Sequence, residues 1–136
     1  MMLGFIWKLR SAYGHSRGLF ALNAGRLDRA QHFLLQGIVA GERASSPLIG
    51  ETYLLFSATL AKLRRRPEAI EVFWTGIGEV QQSPNYSTDD VNYLGAYFCQ
   101  LLDIASDRFE RFDITAVRRS LRRDFPMSLS KAYLIG

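Results

Sequence analysis

A chain of 136 residues, 48% hydrophobic with nine Phe, six Tyr and two Trp, suits one ordinary domain and is too rich in core-forming side chains to be disordered. Its single cysteine, Cys99, excludes an intrachain disulfide and a cysteine-cluster zinc site, and fits a reducing compartment. The net charge of +4 is laid out in blocks: residues 1–66 hold ten Lys/Arg and three Asp/Glu, residues 67–107 seven Asp/Glu and no Lys/Arg, and residues 108–136 seven basic and three acidic groups. An acidic middle between basic flanks either orients a charged partner or balances across solvated helix faces. The start, MMLGFIWKLRSAYG, has its apolar run broken by Lys8 and Arg10 and no cleavage site after it. No stretch reaches the roughly 18–20 apolar residues a bilayer requires, so a cytoplasmic protein without a transmembrane segment is expected.

Residues 3–23 predict a first helix, with Ile6, Leu9, Tyr13 and Phe20 contributing an apolar side and Asn23-Ala24-Gly25 as its stop. A second runs from Leu27 to about Val39, with Leu27, Ala30, Leu34 and Ile38 at helical steps. Gly41 to Gly50 contains Ser45-Ser46-Pro47 and reads as a connection. Tyr53, Phe56, Leu60 and Leu63 mark a third helix ending in the Arg64-Arg65-Arg66 run. Pro67 opens a fourth, with Glu68 and Glu71 near its positive end and Ile70, Phe73, Trp74 and Ile77 as its apolar surface. After the polar stretch Gln81 to Thr88, Ser87 or Thr88 caps a fifth helix with Asp89 and Asp90 in its first turn, followed by Val91, Leu94, Phe98 and Leu101. A sixth helix is expected near 114–123, then a cap or tail over 125–136. The expected hairpins are 3–41, 48–82 and 88–124, in one domain.

Two segments repeat one another. GRLDRAQHFLLQGI (25–38) and RRPEAIEVFWTGI (65–77) are each a polar turn followed by an apolar-faced helix, with Ala30 and Ala69 39 positions apart. The pattern resembles the tetratricopeptide repeat family, whose small eighth residue falls at Gly18, Ser57 and Gly95, its eleventh at Ala21, Leu60 and Phe98, and its small twentieth at Ala30 and Ala69. Asp107 stands where the third repeat should carry alanine, and spacings of 38 and 39 exceed the family's usual 34. The resemblance implies an all-α, right-handed stack of about three antiparallel hairpins forming a superhelix. A generic antiparallel helical bundle accounts for the same periodicities.

The resemblance further implies a curved surface lined by the first helix of each hairpin. It places His15, Leu19, Leu22 and Asn23 there from the first hairpin, Glu51, Leu54, Ala58 and Lys62 from the second, and Asp89, Asn92, Ala96, Cys99 and Gln100 from the third. Asn23, Lys62 and Gln100 would share a level. The family's carboxylate clamp uses Lys and Asn where this chain has His15 and Leu19, which disfavours an acidic C-terminal tail as ligand. Such a surface suits another protein or a peptide, bound by an adaptor, chaperone or inhibitory partner. Homodimerisation through the N-terminal helix, where Phe5, Trp7 and Tyr13 gather, is a second expectation, because a repeat array has apolar ends that need cover.

Nucleic acid is the alternative of another class. Arg64, Arg65 and Arg66 beside Lys62, and Arg118, Arg119, Arg122 and Arg123, are candidate phosphate-binding clusters, although no zinc finger or single-strand-binding aromatic motif accompanies them. Arginines near helix C-termini also oppose the dipole without any ligand. No catalytic residue, metal site or cofactor is expected: His15 and His32 have no metal-binding spacing, and Walker, dinucleotide and nucleophile-elbow motifs are lacking.

Overall fold

The computed structural model describes residues 2–104 and Phe109, and every described regular element is an α-helix. These are α1 (Met2–Asn23), α2 (Leu27–Ala44), α3 (Ile49–Lys62), α4 (Arg66–Gln82) and α5 (Thr88–Leu101). The expected sixth helix, the C-terminal cap, Asp107 and the Arg118–Arg123 cluster lie outside the described residues.

Local chemistry sets the ends. Pro67 stands in the first turn of α4, where its missing N–H costs nothing. At α5 the Ser87 hydroxyl accepts the Asp90 N–H at 3.1 Å and the Asp90 carboxylate accepts the Ser87 N–H at 2.9 Å, a reciprocal cap that satisfies two otherwise orphaned donors. The second helix runs further than its periodicity suggests, through Gly41 to Ala44, and stops at Ser45, which is left-handed at φ 51°. Gly41 does not break it. A Cβ there would lie 2.8 Å from Ile49 Cδ1 and 3.0 Å from Ser11 Oγ, so this glycine serves a close helix contact rather than a turn.

Helix ends recur at a fixed interval. α1, α3 and α5 end at Asn23, Lys62 and Leu101, each 39 residues after the last, and α2 and α4 begin at Leu27 and Arg66, also 39 apart. The turns that follow the first helices match in detail. Gly25, Arg64 and Asp103 are left-handed at φ 74°, 63° and 55°. The next N–H in each case reaches back five residues: Arg26 to the Ala21 carbonyl (2.8 Å), Arg65 to Leu60 (2.9 Å) and Ile104 to Cys99 (2.7 Å). The turn after α5 thus follows the turn after α3 at 39, one more than the 38 that aligns Gly95 and Phe98 with Ser57 and Leu60, while Gly95 packs closely on Phe109 as Gly18 does on Leu34. Leu101 ends α5 as Asn23 and Lys62 end α1 and α3, with Gln100 one position before it.

Packing is that of hairpins. α1 lies on α2 and α3 on α4, while α3 also touches both α1 and α2, and α5 both α3 and α4. One apolar cluster runs through them, from Leu19, Leu22 and Leu34 through Leu54, Leu55, Phe73 and Ile77 to Leu94, Phe98 and Phe109. The first pair is the tightest. A Cβ on Gly14 would sit 2.6 Å from the Gly37 nitrogen and 2.7 Å from the Phe33 carbonyl oxygen, so the α1 and α2 backbones are in direct contact.

Candidate protein-interaction surface

The side chains expected to line a curved groove divide sharply by burial. His15, Leu19, Leu22, Glu51, Leu54, Ala58 and Cys99 are buried, Asn92 and Ala96 are half-buried, and Asn23, Lys62, Asp89 and Gln100 are exposed. The first group belongs to the contacts between helices. His15 Nδ1 lies 2.8 Å from Thr52 Oγ1, whose own proton goes to the Leu48 carbonyl at 2.8 Å. Thr52 has one proton to give, so His15 donates from Nδ1 and joins α1 to α3. Desolvation lowers the His15 pKa to about 4, which leaves the ring neutral at pH 7. Glu51 is buried near Tyr86 of the α4–α5 connection, and burial followed by the Glu51 charge raises the Tyr86 phenol well above its ordinary value. Burial also pushes the Cys99 thiol up, away from thiolate chemistry.

The arginine run after α3 is largely engaged within the fold. Arg65 pairs with Glu68 in the first turn of α4. Arg66 donates to the Leu102 carbonyl at 2.6 Å and to the Asp103 carbonyl at 2.5 Å, holding the C-terminal end of α5 against the start of α4. Arg64 occupies the left-handed turn position and is exposed.

A different surface collects apolar side chains in the open. On α1, Ile6, Leu9, Tyr13, Ser16 and Phe20 follow one another at steps of three, four, three and four residues and are all exposed. On α2, His32, Leu35, Gln36 and Val39 form a neighbouring stripe. Between the two lies an open trough of about 730 Å³ lined by Trp7, Leu9, Arg10, Tyr13, His32, Leu35, Gln36, Val39 and Ala40. Leu9 is 55% exposed, Tyr13 59%, Leu35 48% and Val39 47%. Single exposed apolar residues are ordinary; this many on two adjacent stripes are not.

Cations frame the trough. The Trp7 ring is flanked by the Arg10 and Arg43 guanidinium carbons at 5.0 and 4.5 Å, and Arg17 sits 5.6 Å from the Phe33 ring. Phe33 in turn packs edge-on against Tyr13 at 6.0 Å. These contacts hold aromatic faces and positive charge together at the surface.

Internal equivalence shows what the trough's positions do in the second hairpin. Adding 39 to Leu9 and Tyr13 gives Leu48 and Thr52; Thr52 of α3 hydrogen-bonds His15 of the preceding hairpin and gives its own proton to the Leu48 carbonyl. On the corresponding side of the first hairpin, Leu9 and Tyr13 are exposed. The α1 stripe was legible as an apolar side. That it faces outward was signalled only by the small residues Ser11, Gly14 and Gly18 on the opposite side, where α2 packs.

No protein-family model, curated protein or solved structure matches this chain. None of the described helices is long and apolar enough to cross a membrane.

Proposed function

We propose that this chain is a helical-repeat module of the tetratricopeptide kind that works by binding another protein, as an adaptor, chaperone or inhibitory partner, without catalysis of its own. The observation that carries the reading is the apolar trough at the N-terminal end of a stack whose helix ends recur every 39 residues. A stacked array buries each hairpin against its neighbours and needs polar or covered ends. Here the first hairpin carries Leu9, Tyr13, Leu35 and Val39 at its exposed side, which is the composition of a contact surface. Packed hairpins fix such a surface before binding, so little ordering entropy is lost when a partner docks.

The polar residues Asn23, Lys62, Asp89 and Gln100 remain accessible along the first helices and are assigned a secondary role in contacting the same partner or a peptide from it. The test is affinity purification of the tagged full chain from its own cells, with nuclease-treated and untreated lysates compared. A stoichiometric protein partner that survives nuclease is the expected result. Nucleic acid alone, with every associated protein lost on nuclease treatment, overturns the reading.

A further inference from the structure

We infer that the occupant of the α1–α2 trough is an acidic amphipathic α-helix of another protein, an inference that rests on the interaction-module reading and names its partner chemistry. Shape supports a helix. The 3-4-3-4 spacing of Ile6, Leu9, Tyr13, Ser16 and Phe20 is the spacing by which one helix meets another, and the parallel stripe of His32, Leu35, Gln36 and Val39 supplies the second wall of a groove. The fold already uses this arrangement, since α3 rests on both α1 and α2, and α5 on both α3 and α4.

Charge selects which helix. α1 contains Lys8, Arg10 and Arg17 and no acidic residue. α2 adds Arg29 and Arg43 against Asp28 and Glu42, and Glu42 accepts the Tyr53 hydroxyl of α3. Arg10 and Arg43 stand at the Trp7 end of the trough, and Arg17 lies beside Phe33. A second copy pairing α1 with α1 would bring Lys8, Arg10 and Arg17 against their own counterparts with no carboxylate on either helix to offset them. A helix with leucine-like residues along one face and carboxylates on its flanks meets both the apolar floor and the basic rim.

The experiment titrates the full chain into two fluorescently labelled, hydrocarbon-stapled peptides of about 18 residues, long enough to span the stripe as helices. Both carry leucine at 3-4-3-4 spacing; one has glutamate and the other lysine at its flanking positions. Fluorescence anisotropy is expected to show at least about tenfold tighter binding of the glutamate peptide at low salt, with the gap closing as salt is added. Tyr13→Glu combined with Val39→Glu abolishes that binding, and Arg10→Glu combined with Arg43→Glu removes the preference for glutamate. Equal affinity for the two peptides, or none for either, overturns the inference. So does sedimentation showing a stable dimer that Tyr13→Glu dissociates, since the trough then belongs to a second copy. A nuclease-resistant partner from cells that binds the Tyr13→Glu, Val39→Glu variant as well as the unmodified chain removes this inference and leaves the interaction-module reading standing.

Discussion

The first and second hairpins share a backbone plan and treat equivalent positions in opposite ways. Phe20 of α1 is 66% exposed, whereas its counterpart Thr59 of α3 is fully buried and returns its hydroxyl to the Leu55 carbonyl at 2.9 Å. Tyr13 is exposed where Thr52 is buried in a hydrogen bond to His15. The second hairpin is covered on both sides and uses small polar residues at the seam. The first is covered on one side and turns large apolar side chains to the other. Equivalent positions thus carry large apolar side chains in the open in the first hairpin and small polar ones in a buried seam in the second, the difference on which the proposed contact surface rests.

The hardest way to break this comparison is through the core the hairpins share. Leu34 and Phe73 are equivalent, both fully buried and in one apolar cluster. Leu34→Ala and Phe73→Ala are each expected to cost about 2–5 kcal/mol in denaturant unfolding, with single coincident transitions. Loss of only one hairpin's signal in either variant would show that the two do not unfold together.

A pH experiment sharpens the seam between the hairpins. His15 ordinarily titrates near 6.5 and is lowered to about 4 by burial, so between these values the unfolded chain binds a proton that the folded chain does not. Its contribution is complete above pH 6.5, is lost progressively as pH falls toward 4, and amounts to something on the order of 3 kcal/mol. The counterpart of His15 in the second hairpin is Leu54. His15→Leu should therefore flatten the fall in stability between pH 6.5 and 4 while Thr52 keeps its bond to Leu48. An unchanged pH profile would contradict the assignment.

Smaller effects test the close contacts and turns. Gly14→Ala forces a Cβ into the α2 backbone and is expected to lower stability by about 1–3 kcal/mol; Gly4, where a Cβ meets nothing within 4 Å, should accept alanine without such a clash. Thr59→Phe is expected to cost a similar amount by overpacking, against less than about 0.5 kcal/mol for Phe20→Thr at the open counterpart. Smallest is the turn: Arg64→Gly relieves a left-handed side-chain-bearing residue and should raise stability by up to about 1 kcal/mol, as read from thermal unfolding.

Much of this architecture is legible in residues. Ala30 and Ala69 reveal the interval, and Ser87 with Asp90 and Pro67 reveal two helix starts, because caps act locally. The third unit's turn was hidden because it carries Asp103 where the first has Gly25, so chemistry no longer marks a geometry that the backbone still adopts. Gly41 looked like a break because sequence does not distinguish a glycine needed for a turn from one needed for contact. The candidate surface was hardest of all. α1 has apolar residues on both sides, and periodicity cannot say whether Leu19 and Leu22 or Leu9 and Tyr13 face inward. Only the packing of Gly14 on Gly37 decides it.

The most direct measurement is amide hydrogen exchange on the full chain, free and in the complex recovered from cells. If the α1–α2 trough is the binding surface, protection gained on binding should concentrate in residues 6–20 and 32–40, with the exposed first-helix residues near Lys62 and Gln100 changing less. Protection confined to α3 and α5, with the α1–α2 trough exchanging as in the free chain, would contradict it.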